Sequence, residues 1–154
     1  MISAIKTIQN RKDTGNRTGL FGSSMGGSVC LSVFSESHAC SIVTSAAPVR
    51  SSSIIKKPEN SDHSNAPAPP FYKRYLDSDI SDKLSSIHHI LIFHGDSDEL
   101  VPPSNAKEIF EKAGDPKKLI LQKRGDHRMS NKTHQENFVR ESALWFKSCF
   151  DGTI

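Results

Sequence analysis

The sequence predicts an α/β fold of about four parallel strands with helices on both faces. Three observations predict it. Short strand-like runs at 18–21, 40–47, 90–93 and 118–122 alternate with segments whose apolar residues recur at helical spacing. The runs at 40–47 and 90–93 are apolar almost throughout, which suits strands covered on two faces. Three of the four runs end in loops rich in Gly, Ser, Asp or His, and parallel strands bring such loops to one edge of a sheet.

The elements follow in order. Ile2, Ile5 and Ile8 recur every third residue, with Lys6, Arg11 and Lys12 late, where cations suit the helix dipole; residues 1–12 read as the end of an amphipathic helix. Asp13–Asn16 turns the chain into the strand 18–21. Val29, Cys30, Val33 and Phe34 then mark a helix, broken at 36–39. Cys40–Ala47 is a second strand, ended by Pro48, and strand–helix–strand order implies a parallel crossover. Residues 50–70 are polar and rich in Ser and Pro, an insertion that serves as a linker or a lid. Phe71, Tyr72, Tyr75 and Leu76 follow at helical spacing and offer apolar contacts to a substrate. Ile90–Phe93 is the third strand. Ser104 caps a helix with Ala106, Ile109, Phe110 and Ala113 on one face, closed by Gly114. After the fourth strand, Thr133 and Glu136 form a capping box for a last helix. Its stripe is Val139, Ala143, Phe146 and Phe150, with Phe138 and Trp145 beside it.

Composition bounds the function. The 154 residues are enough for one domain with a real core, read as residues 1–154. The net charge is +3, and no Lys/Arg block interleaves with aromatics, which argues against a nucleic-acid partner. No apolar run approaches a membrane span. Cys30, Cys40 and Cys149 lie far apart, with no Cys-x-x-Cys pair, so neither a disulfide framework nor a zinc site is expected, and no cofactor is implied. The first ten residues lack the apolar core of a signal peptide, and a cytoplasmic setting is the expectation.

The chemistry sits in three loops. Gly22-x-Ser24-x-Gly26 lies between a strand and a helix, the spacing of a nucleophile elbow. Such a turn strains the middle residue and lifts Ser24 Oγ off the sheet; glycine is expected on both sides because a Cβ there would clash. The N–H of Met25, opening the next helix, would face a developing oxyanion. Asp98 and His127 follow the third and fourth strands. A serine hydroxyl needs a base, His127, and the base needs a partner, Asp98, to fix its tautomer. Asp96 is the alternative acid. Asp126 is expected to cap its own loop and His94 to hold the acid loop. His88 and His89 are expected to be exposed, and His38, His63 and His134 carry no signal.

Three motifs carry a family resemblance. Residues 22–27 (Gly-Ser-Ser-Met-Gly-Gly), 94–102 (His-Gly-Asp-Ser-Asp-Glu-Leu-Val-Pro) and 125–130 (Gly-Asp-His-Arg-Met-Ser) resemble the elbow, acid loop and histidine loop of α/β-hydrolase-fold serine hydrolases. The resemblance covers the chain except for 50–70. By these motifs it is similar to small esterases and thioesterases, and its acid loop also resembles that of prolyl-oligopeptidase-like peptidases and serine aminopeptidases. It implies the C-terminal half of an eight-stranded fold, without the His-Gly-type loop that supplies a second oxyanion N–H. The implied activity is hydrolysis of a small acyl substrate, an ester or thioester, at Ser24, Asp98 and His127. The alternatives are a serine peptidase of the same fold and a non-catalytic module that keeps the motifs. A strand left open at Leu20-Phe21 would favour dimers or aggregates through that edge.

Overall fold

The arrangement follows from four short strands and the alternation of side chains along them. A computed structural model describes residues 1–13, 15, 17–55 and 78–154. The strands are Gly19–Ser23 (β1), Ser41–Ser45 (β2), Ile90–Gly95 (β3) and Lys117–Gln122 (β4). They lie in the order β1-β2-β3-β4, every neighbouring pair parallel. Leu20, Ile42, Ile90 and Ile92 point to one face, where they join Ile5, Leu31, Phe34, Ala106 and Ile109 in the larger core. Val43, Leu91 and Phe93 point to the other face. Period-two alternation thus splits the apolar residues of β2 and β3 between two cores, which is why both strands are buried along their whole length.

Helices cover both faces. Ile2–Gln9 (α1), Met25–Ser37 (α2) and Ser104–Lys112 (α3) contribute to the larger core. Lys132–Asp151 (α4) covers the other face with Phe138, Trp145 and Phe146. The indole N–H of Trp145 donates to the His89 carbonyl, 3.2 Å, where β3 begins. Among the described residues no helix is long and apolar enough to cross a membrane. β1 pairs only with β2 among the described strands, and Phe21 is exposed on it.

Several local expectations need correction. The strands are offset from 18–21, 40–47, 90–93 and 118–122 by one or two residues, because the ladder runs on to Ser23↔Ser45 and Gly95↔Gln122. Ser104 does not cap α3. It is the first helical residue, Pro103 holds the cap position, and no side chain bonds there. That helix ends on Ala113 in an extended conformation, and the N–H of Gly114 donates to the Ile87 carbonyl instead of closing a left-handed turn. Thr133 does not cap α4 either. Asn131 does, accepting from the N–H groups of Thr133 and His134. The buried side of α4 carries Phe138, Trp145, Phe146 and Cys149, while Val139 and Leu144 face outward. The face packed on the sheet is the one that carries Phe138, Trp145 and Phe146, and Val139 lies off it.

The chain leaves β2 through a tethered turn. Asn105, buried in α3, accepts from the Val49 N–H and the Ser53 hydroxyl, both at 2.8 Å. Arg50 forms a two-pronged pair with Glu108 at 2.6 and 2.7 Å, and also reaches Asp79. The Ser51 N–H donates to the Ser78 carbonyl, 3.0 Å. Both ends of the excursion are therefore fastened to the same place. The sequence-based assignments within 56–77, including most of the insertion and the cluster Phe71, Tyr72, Tyr75 and Leu76, lie outside the described residues.

Two measurements check these contacts. Asn131→Ala should cost about 1 kcal/mol in denaturant unfolding, and Thr133→Ala should stay within about 0.5 kcal/mol; the reverse order would restore Thr133 as the cap. Arg50 hydrogen bonds, with help from Lys112, hold the Glu108 carboxyl down to about 2 from an ordinary 4.5. A depressed carboxylate contributes stability that is complete above its unfolded value and is lost as pH falls through the folded one. The stability gap between the native chain and Glu108→Gln should be full at neutral pH and shrink as pH falls from 4.5 toward 2.

Candidate active site

The C-terminal ends of β1, β3 and β4 meet at one edge of the sheet, and each delivers one candidate side chain. Ser24 follows β1 with φ 52° and ψ −125°, a conformation that L residues rarely adopt. Its own N–H is anchored on the Ser45 carbonyl at 2.8 Å, so β2 holds the strained residue in place. Its carbonyl accepts from the Gly27 N–H at 2.9 Å, which starts α2 at once. Met25 is the first residue of that helix, a position whose N–H has no acceptor inside the helix.

The glycine requirement differs from the expectation. A Cβ at Gly22 would lie 2.3 Å from the Gly26 carbonyl oxygen, so glycine is obligatory there. A Cβ at Gly26 would meet nothing within 4 Å among the described residues. The second tight position is Gly27, whose Cβ would lie 2.6 Å from that of Ala47. The elbow therefore rests on Gly22 and Gly27, one where the strand meets the helix and one where the helix meets the turn after β2.

A second glycine contact joins the other two loops. A Cβ on Gly95, at the end of β3, would lie 2.2 Å from the Gly125 carbonyl oxygen, and one on Gly125 would lie 2.9 Å from the Gly95 Cα. Asp96 reinforces this contact by accepting from the Arg124 N–H at 2.6 Å and the Ser97 hydroxyl at 2.9 Å. Asp96, the alternative acid, is thus turned to backbone and does not meet the histidine. Asp126 accepts from both the N–H and the hydroxyl of Ser130, and those bonds hold its carboxyl below the usual range. It caps its own loop as expected.

His127 and Asp98 meet across this junction. His127 Nε2 lies 3.0 Å from Ser24 Oγ. His127 Nδ1 lies 2.9 and 3.1 Å from the two Asp98 oxygens. Asp98 Oδ1 also accepts the N–H groups of Leu100 and Val101, at 2.9 and 2.8 Å. The Asp98 side chain is fully buried and that of His127 is 12% exposed. Glu99 accepts from the His127 backbone N–H at 3.2 Å. All three candidate residues are brought together, with Met25 beside them. A cavity of about 220 Å³ opens next to His127, walled by Phe21, Ser23, Ser45, Met129 and Phe138.

Sequence reasoning missed two contributors. The Gly95–Gly125 contact was unreadable without the β3–β4 register, although both glycines adjoin the reactive loops. Ala46, just past β2, also takes a positive φ of 52°, and nothing in its sequence context announced it. His88 is exposed as expected and His89 half-buried; their Nδ1 atoms face each other at 2.8 Å, and His88 packs edge-on against Phe34. No group of three or more metal-ligating side chains gathers among the described residues.

The chain matches the profile of the prolyl oligopeptidase family over residues 1–153. It belongs to that family. None of the curated proteins compared with this family member matches it in sequence. Among solved structures it is similar to the esterase domain of a Rhodothermus marinus protein, at 19% identity and a TM-score of 0.65, covering 95% of this chain and 65% of that one. It is similar to an esterase from Pyrococcus furiosus, at 18% and 0.69, covering 94% and 58%. It is also similar to a puromycin-hydrolysing peptidase of Mycobacterium tuberculosis, at 15% and 0.70, covering 96% and 24%. Its four parallel strands and helices are thus part of an α/β-hydrolase fold, and the chain spans 65% or less of these three proteins.

The glycine contacts are testable. Gly95→Ala should destabilise by about 1–3 kcal/mol, because the clash is with backbone that cannot rotate away. Gly26→Ala should be tolerated. Thermal unfolding of the two variants checks the order, and equal effects would refute the assignment of Gly95 as a close-contact position between the loops.

Proposed function

We propose that the chain carries the catalytic site of a serine hydrolase that cleaves a small carboxylic ester or thioester through an acyl-enzyme. The observation that carries this reading is the continuous hydrogen-bonded path from Ser24 Oγ through His127 to buried Asp98. Each atom has a task on that path. Ser24 Oγ attacks the acyl carbon as His127 Nε2 takes its proton. Asp98 holds the Nδ1–H and stabilises the imidazolium, while the Leu100 and Val101 N–H groups orient the carboxylate. The Met25 N–H donates to the oxyanion. His127 then returns the proton to the leaving group. A water, activated by the same imidazole, attacks the acyl-enzyme and releases the acid.

The cavity beside His127 supports a small acyl group. Phe21, Met129 and Phe138 supply apolar walls, and about 220 Å³ suits a short chain better than a long one. Membership of the prolyl oligopeptidase family favours a second reading, hydrolysis of a peptide or amide at the same serine. The chemistry is shared; only the leaving group differs.

A fluorophosphonate probe should label Ser24, and Ser24→Ala should lose both labelling and turnover of p-nitrophenyl acetate or butyrate. Ser23→Ala should retain most of both. Asp98→Asn should lower turnover by about 1,000-fold or more through the wrong histidine tautomer, with Asp96→Asn far milder. Absence of labelling in the native chain would favour the non-catalytic alternative. Faster turnover of aminoacyl p-nitroanilides than of esters would favour the peptidase.

A further inference from the structure

The chain holds a second histidine against the buried acid. His94 lies on β3 with its side chain fully enclosed, and its Nε2 sits 2.8 Å from the Val101 carbonyl oxygen and 3.2 Å from Asp98 Oδ2. Its Nδ1 is buried with no partner among the described residues. We propose that His94 is a positioning residue for the Ser24–His127–Asp98 site: a permanently neutral Nε2–H imidazole that pins Asp98 and sets how strongly Asp98 supports His127. The inference rests on the roles proposed above for those three residues.

The protonation state follows from the neighbours. Nε2 faces two acceptors, a carbonyl and a carboxylate, so it must carry the hydrogen. Nδ1 faces no acceptor, so a second proton there would leave a charged donor buried and unpaired. Burial also pushes the imidazole pKa below its ordinary value, against the opposing pull of the Val101 carbonyl and Asp98. The neutral Nε2–H form is the one arrangement that matches both nitrogens.

The two contacts have different consequences. Val101 is the far end of the turn 98–101, whose N–H groups hold Asp98 Oδ1. By donating to the Val101 carbonyl, His94 fixes that turn to β3. By also approaching Oδ2, it competes with His127 Nδ1 for the same carboxylate oxygen. A donor on a carboxylate reduces the negative charge felt by its other partner. His94 therefore limits the negative charge that Asp98 presents to His127. Among the described residues, the two loops that meet at His127 also carry Asp96 and Glu99, from the acid loop, and Arg124, Asp126 and Arg128, from its own loop. Asp96 and Asp126 are engaged with backbone and hydroxyl donors, and Glu99 accepts from the His127 N–H.

Fluorophosphonate labelling of Ser24, followed against pH, tests the idea without a known substrate, because its acid limb reports His127. His94→Phe keeps the ring volume and removes the donor. It should label roughly tenfold more slowly, the scale of one hydrogen bond to a charged group, and its acid limb should move upward. His94→Gln places an amide N–H near the Nε2 position and should restore the limb. A role in packing alone would lower the labelled fraction and leave the limb where it is, and that result overturns the proposal, as does His94→Gln behaving like His94→Phe. If neither variant folds, nitrogen NMR of the native chain decides. A His94 imidazole that stays neutral and Nε2–H between pH 5 and 8 supports the role; one that titrates there or carries its proton on Nδ1 refutes it. Failure of the native chain to label at Ser24 would instead refute the hydrolase reading.

Discussion

A carboxylate sealed from water constrains the top of this sheet. Asp98 has no exposed side-chain surface, and a buried charge is tolerated only when donors surround it. Those donors come from the turn 98–101 and from His127 on the loop after β4, while His94 on β3 donates to the Val101 carbonyl and lies 3.2 Å from Asp98 Oδ2. Removing any one leaves the charge short of a partner. The acid loop, the strand beneath it and the histidine loop are therefore fixed to one another by a single electrostatic requirement.

Backbone contact does the rest of the positioning. Gly95 and Gly125 bring the ends of β3 and β4 closer than side chains would allow, and Gly22 and Gly27 do the same where β1 turns into α2. The strain at Ser24 is held by the bond from its N–H to Ser45, so β2 contributes to the elbow without supplying a reactive side chain. Geometry of about 3 Å between Ser24 and His127, 103 residues apart in sequence, depends on this stack of close approaches.

The two faces of the sheet have unequal tasks. The larger core, with α1, α2 and α3, sets the scaffold. The smaller core under α4 includes Met129 of the histidine loop and Phe138, which also wall the cavity beside His127. Packing of the last helix is thereby coupled to the shape of the site. Phe21 faces the same region from β1 and packs against Phe138 with ring centroids 5.5 Å apart and the planes tilted by 53°.

The sequence by itself determined the element order, the parallel architecture and two of the residues that meet at the site, Ser24 and His127. Strands are legible when both faces are buried, because β2 and β3 are then apolar at successive positions. Loops are legible when they carry Ser24, Asp98 and His127 just after such strands. Caps and helix faces were less legible. Asn131, Thr133 and Ser104 are all competent caps in sequence, and only the entry angle of the chain selects among them. Packing against the sheet turned Val139 outward and Trp145 inward. Tertiary structure alone decided which glycines are obligatory, because Gly26 and Gly27 differ only in what lies opposite them. It also decided between Asp96 and Asp98. The two carboxylates are two residues apart, and the Gly95–Gly125 contact turns the first toward the Arg124 backbone and leaves the second facing the imidazole.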